Sequence, residues 1–355
     1  MQKRKEPLLG IRIFLVFFWV VFIFFLLYAP NFGETSSGRT LHIFTWSDLF
    51  DEQTIRNFEK DTGINVHFNY YDSNEELLVK LKATKGHGHD LIIPSDYSTK
   101  ILIEQELIKP IDYSRIDFKN RLLPELLNHD FDPDNIYSMP LNWEVYGFTY
   151  DKEHFKGKLQ NPNWNHIFQP KNYRIAMTND PVEAFNMASF HLHGKQQHLT
   201  SSQTSIVRDT LTSQKKYIEA YGSFRITYLI ATKNCPLAIS SSSYSFRMFD
   251  EYPILGFAIP KEGTFVSIEN IAIPAQTEND DLIYTFLNYV YRQDNIQRRC
   301  AFYAQFPPTR DGLPTLHPDY IQTFHNALKS FPEFCFFRHL APEQTLRDIW
   351  IDVKS

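Results

Sequence analysis

The chain has 355 residues, 43% of them hydrophobic and 22% charged, a globular composition that sets disorder aside and, by size, predicts two domains. Its formal net charge is −5, and without residues 1–35, which hold four basic and two acidic side chains, the remainder carries −7. A modestly acidic body argues against nucleic acid, whose binding depends on Lys and Arg neutralising phosphates, and it suits cationic ligands without demanding them.

Lys3–Lys5 and Arg12 precede an uncharged run, Ile13–Ala29, dominated by Phe, Val, Leu and Ile. A basic flank before an apolar run reads as a secretory signal peptide or an uncleaved anchor. Leu27 and Tyr28 before Ala29 make a poor small-x-small cleavage site, so both fates stay open. In both, the basic end stays in the cytoplasm and the body is exported. Cys235, Cys300 and Cys335 are too few for a disulfide framework. Buried thiols and a single bridge with one thiol left over both fit.

The stretch Leu41–Val66 begins with an apolar run, His42–Phe44, and breaks into the polar turn Thr45-Trp46-Ser47-Asp48. Asp51 and Glu52 suit a helix start, Ile55 and Phe58 supply its apolar face and Gly63 stops it. Asn65–Tyr70 is then a second strand. This β-loop-α-β unit places a Trp and an Asp at a strand's carboxyl end, the edge where open α/β sheets bind ligands. Ser73–Glu76 is a capping box before Leu77, Leu78 and Leu81. Asp90–Pro94 is a short buried strand, with Ser95-Asp96-Tyr97 at its carboxyl end and a helix over Tyr97–Glu106. Alternating strands and helices predict a mainly parallel sheet.

Pro110–Pro140 reads as loop, and Tyr137–Tyr150 as an extended segment that carries the chain into a second lobe. There Tyr173–Thr178 is a strand and Ala184–His193 a helix. Asp180-Pro-Val-Glu183 between them is first of all a helix start, with Asp as N-cap, Pro at N1 and Glu at N3, and it also holds two carboxylates at the ligand edge. Thr200–Lys216 reads as a polar surface stretch. Pro236–Ile239 and Ile254–Pro260 are strands, with Ser240–Ser243 a polar turn between them. Phe265–Pro274 is an extended run leading back, Asp281–Arg292 an apolar helix, Phe306–Thr309 a loop, and the tail from Pro318 helical.

Hydrolase and nucleotide templates fail: G-x-S-x-G, H-E-x-x-H and G-x-x-x-x-G-K-[ST] are absent. Ser213-Gln-Lys-Lys216 matches S-x-x-K without a K-T-G partner and is read as chance. His87/His89 and His191/His193 are read as surface histidines.

Seven markers in order carry a family resemblance: HIFTWSD (His42–Asp48), F-x-K-x-T-G-I-x-V (Phe58–Val66), YDSNEELLVKL (Tyr71–Leu81), DLIIPSDY (Asp90–Tyr97), FDPDN-x-YSMP (Phe131–Pro140), PKEG (Pro260–Gly263) and IENIAIPA (Ile268–Ala275). From about Leu41 to the C-terminus the chain resembles the periplasmic polyamine-binding receptors of ABC importers, of the spermidine/putrescine type. The resemblance implies a two-lobed periplasmic-binding-protein fold (type II), each lobe a mainly parallel sheet with flanking helices, with crossing strands and a ligand cleft between the lobes that closes about a hinge. Residues 41–141 with 270–312 are expected to form the N-terminal lobe, and 142–269 with 313–355 the C-terminal lobe.

By the same resemblance, Trp46, Ser47 and Asp48 match the first ligand loop, Ser95 and Tyr97 the second, and Asp180 and Glu183 the carboxylate pair of the second lobe. Glu269 falls where the family has a central Asp, and Phe306 where it commonly has an aromatic ring. The chain departs from the pattern at Leu49, which replaces a Tyr. Ser240 and Ser267 fall where tryptophans are common, and Asp96 adds an acid at a small neutral position. The expectation is an exported, monomeric binder of polyamines serving an ABC permease in the inner membrane. It is expected to have no enzymatic activity, cofactor, metal or nucleic acid. Asp180, Glu183 and Glu269 would take ammonium groups, Asp48 and Asp96 a further one, and Trp46 and Tyr97 would pack on methylenes. The alternatives are a receptor for another small cation or metal ion, and an anchored interaction protein without ligand.

Overall fold

The computed structural model describes residues 15, 17–19, 21–23, 39–170, 172–222 and 225–355. Residues 15, 17–19 and 21–23 are helical and exposed; the rest of the segment expected to act as signal or anchor lies outside the described residues. Among the described residues no helix is long and apolar enough to cross a membrane.

Strand β1 (Thr40–Thr45) pairs in parallel with β2 (Asn65–Tyr70) on one side and β3 (Leu91–Ile92) on the other. Helix α1 (Glu52–Thr62) links the first two strands, capped by Asp51, whose carboxylate accepts from Thr54 N at 2.9 Å, and ended by Gly63 at φ 67°. That left-handed conformation is costly for residues with a Cβ, which is why Gly stops the helix there. Helix α2 (Asn74–Thr84) starts at the Ser73 cap, and α3 (Asp96–Glu104) follows β3 directly. After the short β4 (Ile108–Lys109) the chain runs through 3-10 turns to the long β5 (Ser138–Asp151).

The rest of the chain supplies α4 (Asn165–Phe168), β6 (Ile175–Thr178), α5 (Pro181–His193), α6 (Ser201–Gln214), β7 (Ile218–Gly222) and α7 (Ile226–Ala231). Then come β8 (Leu237–Ser241), α8 (Ser242–Phe246), β9 (Leu255–Ala258), β10 (Phe265–Pro274), α9 (Asp280–Val290) and α10 (Gln293–Tyr303). The tail holds α11 (Pro318–Ser330), β11 (Cys335–Phe336) and α12 (Glu343–Lys354). The strands line up as β2-β1-β3-β10-β5-β8-β6-β7, with β4 and β11 also on β10 and β9 on β5. The outer pairs are parallel, whereas β5 and β10 run antiparallel through the middle, in register from Val266↔Val145 to Ala272↔Ser138 with a shift between Glu269 and Asn270. Those two strands tie a two-lobed α/β fold together.

One apolar core gathers Leu41, Ile43 and Phe58 with Phe286, Leu287 and Val290; another gathers Phe148, Trp164, Ile175, Phe185, Leu237 and Val353. A third, with Trp143, Val145, Ile268, Phe306 and Phe324, lies against the crossing strands. Each large side chain buried there contributes roughly 1.5–3 kcal/mol.

Three expectations about elements are refined or corrected. Thr200–Lys216 lies at the surface as expected but is regular, holding α6, which Thr200 and Gln203 start with a reciprocal capping box; only Val207, Leu211 and Gln214 are buried, so its apolar stripe is narrow. Ser240–Ser243 is no simple turn between strands: Ser240 and Ser241 end β8, and Ser241 then caps α8. The tail is two helices separated by β11, which adds in parallel to β10. All three cysteines are free thiols, with Cys235 and Cys300 buried.

Candidate functional site

The two crossing strands form the floor of the site. Side chains two apart on a strand share a face, so Ser267 and Glu269 on β10 face the same way. Glu144, in register with Ser267, and Tyr146 share that face from β5. Ser267 Oγ donates to Glu269 Oε1 at 3.5 Å, and Trp46, from the loop after β1, donates its indole N–H to Glu269 Oε2 at 2.8 Å. The Trp46 ring rests on Tyr71, centroids 4.5 Å apart. Glu269 is pushed far above the usual carboxylate range by burial, and then by the charges of Glu144 and Asp96.

From the other side, α5 begins at Asp180, whose Oδ1 accepts from Val182 N at 2.7 Å and Glu183 N at 2.9 Å. The expected N-cap is therefore present, and the same turn delivers Glu183 to the floor. There Tyr146 Oη donates to Glu183 Oε1 at 2.6 Å and Thr178 Oγ1 to Oε2 at 2.5 Å. Burial and the neighbouring charge of Asp180 push Glu183 up to about 8, against the pull of those two hydroxyls. Asp180 is exposed, and partial desolvation of its carboxylate, then the charge of Glu75, raise it.

The first lobe adds Tyr97, whose hydroxyl donates to Glu75 Oε1 at 2.8 Å and whose ring lies 5.7 Å from His339 of the tail. Asp96 is 1% exposed. It accepts from Ile268 N of β10 at 3.0 Å and from Tyr97 N at 2.7 Å, and burial raises it to about 7 despite these bonds. Ser95 is buried beside Glu269 through an antiparallel bridge, and its hydroxyl has no hydrogen-bond partner. Ser47 donates to Asp48 Oδ1 at 3.1 Å, and Asp48 Oδ2 holds Arg247 Nη1 at 2.7 Å.

Of the residues singled out in the sequence, Trp46, Ser267 and Glu269 meet directly, Asp180 and Glu183 meet on α5, and Ser95, Asp96 and Tyr97 flank them. Asp48 with Ser47 sits to one side on Arg247. Two are placed differently. Ser240 turns its hydroxyl inward to Thr149 and Ser245, at 2.6 and 2.8 Å. Phe306 is fully buried on Trp143, Tyr320 and Phe324, inside the third core.

Sequence reasoning missed Glu144, Tyr146, Glu75, Arg247 and His339. For Glu144 a partial signal was available: a carboxylate inside the otherwise largely apolar run Trp143–Phe148. It receives the Ser243 hydroxyl and is raised by burial. The site thus presents several carboxylates in a confined, partly dehydrated space, where an ion's interaction is stronger than in water. Aromatic faces (Trp46, Tyr71, Tyr97) stand among them. Chemically it can take a cation with apolar parts.

A profile of the bacterial extracellular solute-binding protein family matches residues 53–327. The putrescine-binding periplasmic protein PotF of Escherichia coli K12 is 31% identical over 275 residues, 72% of this chain and 74% of that protein. A solved structure from Listeria monocytogenes, described as a spermidine/putrescine ABC transporter, superposes with a TM-score of 0.78 at 26% identity, covering 89% of this chain and 99% of that one. The spermidine/putrescine ABC transporter substrate-binding protein PotD of Streptococcus pneumoniae gives a TM-score of 0.78 at 22% identity over 89% and 98%, a likeness of fold.

Proposed function

This chain belongs to the bacterial extracellular solute-binding proteins, and on that premise we propose that it captures a polyamine outside the cytoplasmic membrane and delivers it to the permease of an ABC importer. One observation carries the reading: Glu144, Asp180, Glu183 and Glu269 converge on the cleft with no ion-pair partner among the described residues. Carboxylates displaced upward by burial and mutual repulsion are short of positive charge, and a polyamine supplies it at intervals along a methylene chain. Ring faces cover the methylenes and add cation–π attraction of about 0.5–2 kcal/mol each, a part that suits Trp46 and Tyr97. Ser47 and Ser267 support Asp48 and Glu269 with hydroxyls, and Ser95 offers an unpartnered one to the ligand.

The protein acts as a monomeric receptor and not as an enzyme. Its lobes are residues 41–141 with 270–312 and residues 142–269 with 313–355, so that the cleft lies over β5 and β10. The test is thermal melting of amine-stripped protein with millimolar putrescine or spermidine. A ligand at about a hundred times its dissociation constant adds roughly 2.7 kcal/mol of stability, so melting rises by several degrees; no shift with either amine overturns the proposal.

A further inference from the structure

We infer that Glu144 is the ligand's third anchor, placed for an internal ammonium, so that the cleft selects a linear triamine over a diamine of equal length. The inference rests on the polyamine reading and goes beyond it to the number and position of the ligand's charges. Its basis is the floor of the cleft. Glu144 stands in cross-strand register with Ser267, and Glu269 lies two residues further along β10 on the same face. Tyr146, two residues along β5 from Glu144, holds Glu183. Glu144 therefore sits between an acid at one end, Glu269, and the acid pair at the other, Asp180 and Glu183.

The electrostatics repeat this order. The charge of Glu144 acts on both Glu269 and Glu183, whereas the strongest influences on Glu269 do not include Glu183, nor the reverse. Among the described residues Glu144 has no ion-pair partner: Arg247 is turned to Asp48 at 2.7 Å, and its charge favours the Glu144 carboxylate only from a distance. It is held instead by the Ser243 hydroxyl. Ser95 adds a buried hydroxyl without a partner beside Glu269, an unused oxygen on the same floor. A diamine spanning the cleft would lay methylenes over Glu144 and leave a desolvated carboxylate with only serine hydroxyls and a distant guanidinium to favour its charge, which is costly. An internal ammonium removes that cost.

Spermidine and 1,8-diaminooctane have the same chain length and differ by a nitrogen in place of one carbon. Calorimetry on amine-stripped protein should show spermidine bound at least about thirtyfold more tightly, the effect of pairing one buried charge. In Glu144→Gln the ratio should fall to within about threefold, while Glu144→Asp, which keeps the charge, should retain most of it. Because the ratio compares two ligands on one protein, altered folding of a variant does not imitate the result. Equal affinity of the unaltered protein for the two amines overturns the inference and leaves the polyamine reading standing, as does a ratio unchanged in Glu144→Gln. Binding of neither amine overturns both.

Discussion

Glu269 is asked to be charged in a place that resists charge. Its burial and its two acidic neighbours favour the protonated form, while the Trp46 indole N–H favours the carboxylate. Glu269→Gln keeps an oxygen for Trp46 and removes the charge. We expect amine affinity to fall at least about thirtyfold, about 2 kcal/mol, with the melting temperature of the empty protein unchanged or higher. A variant that melts lower and binds amines as before would make Glu269 a structural residue. Glu183 gives a pH dependence. Its ordinary value is 4.5 and its folded value about 8, so between them the folded protein keeps a proton that the unfolded chain releases. The stability from this group is full below the lower value and is lost as pH rises through the upper one. The empty protein should therefore lose stability between those limits, and Glu183→Gln should flatten that part of the melting profile. Amine binding runs the other way, because the ammonium favours the carboxylate: affinity should rise with pH over the same window and binding should release protons, seen as a dependence of calorimetric heat on buffer ionisation.

At the level of elements, the most consequential join is the start of α3, where Asp96 bonds both its own helix and the backbone of β10. Asp96→Ala leaves the Ile268 N–H buried without an acceptor, which costs about 1–3 kcal/mol; Asp96→Asn, which retains an acceptor, should recover most of that in denaturant titrations. This role was not legible in the sequence, where Asp96 reads as one more cleft acid, because its partner is 172 residues away. What was legible is local. The caps at Ser73 and Asp180 are spelled out within four residues, and each starts a helix where expected, while Asp51, read as part of a first turn, is the cap just before it. The strands β1, β2 and β3 follow from apolar runs bounded by turns. Helices α6 and α7 escaped because a narrow or short apolar stripe does not stand out from polar neighbours. For Glu144 the lone acid in an apolar run marked the residue but not its direction: which face of β5 meets the cleft is set by its register with β10, and register is a tertiary fact.

Across the whole molecule, the loop after β1 and the start of α5 stand over the same two strands, and the resemblance of ordered markers anticipated the two-lobed fold better than any single motif. The join at the rim is the pair Asp48–Arg247, with Arg247 also donating to Tyr303 O at 2.8 Å and lying over the Tyr244 and Tyr303 rings. Asp48 follows β1 and Arg247 follows α8, so on the proposed lobe boundaries this contact would exist only in the closed form. A partly exposed pair of this kind contributes about 0–1 kcal/mol, enough to move a finely balanced open–closed equilibrium severalfold. Arg247→Gln should enlarge the empty protein's radius of gyration in small-angle X-ray scattering and leave the amine-saturated value alone. An unchanged empty radius would mean that the pair follows closure without favouring it. The feature has a price at the transporter. A permease that recognises its receptor by shape has no way to tell a clasp made by the protein's own arginine from one made by cargo, so a stronger rim contact would send vacant carriers to the pump and spend ATP on nothing. On the proposed reading, solvent access to Asp48 and Arg247 would keep that contact weak, and false arrivals rare.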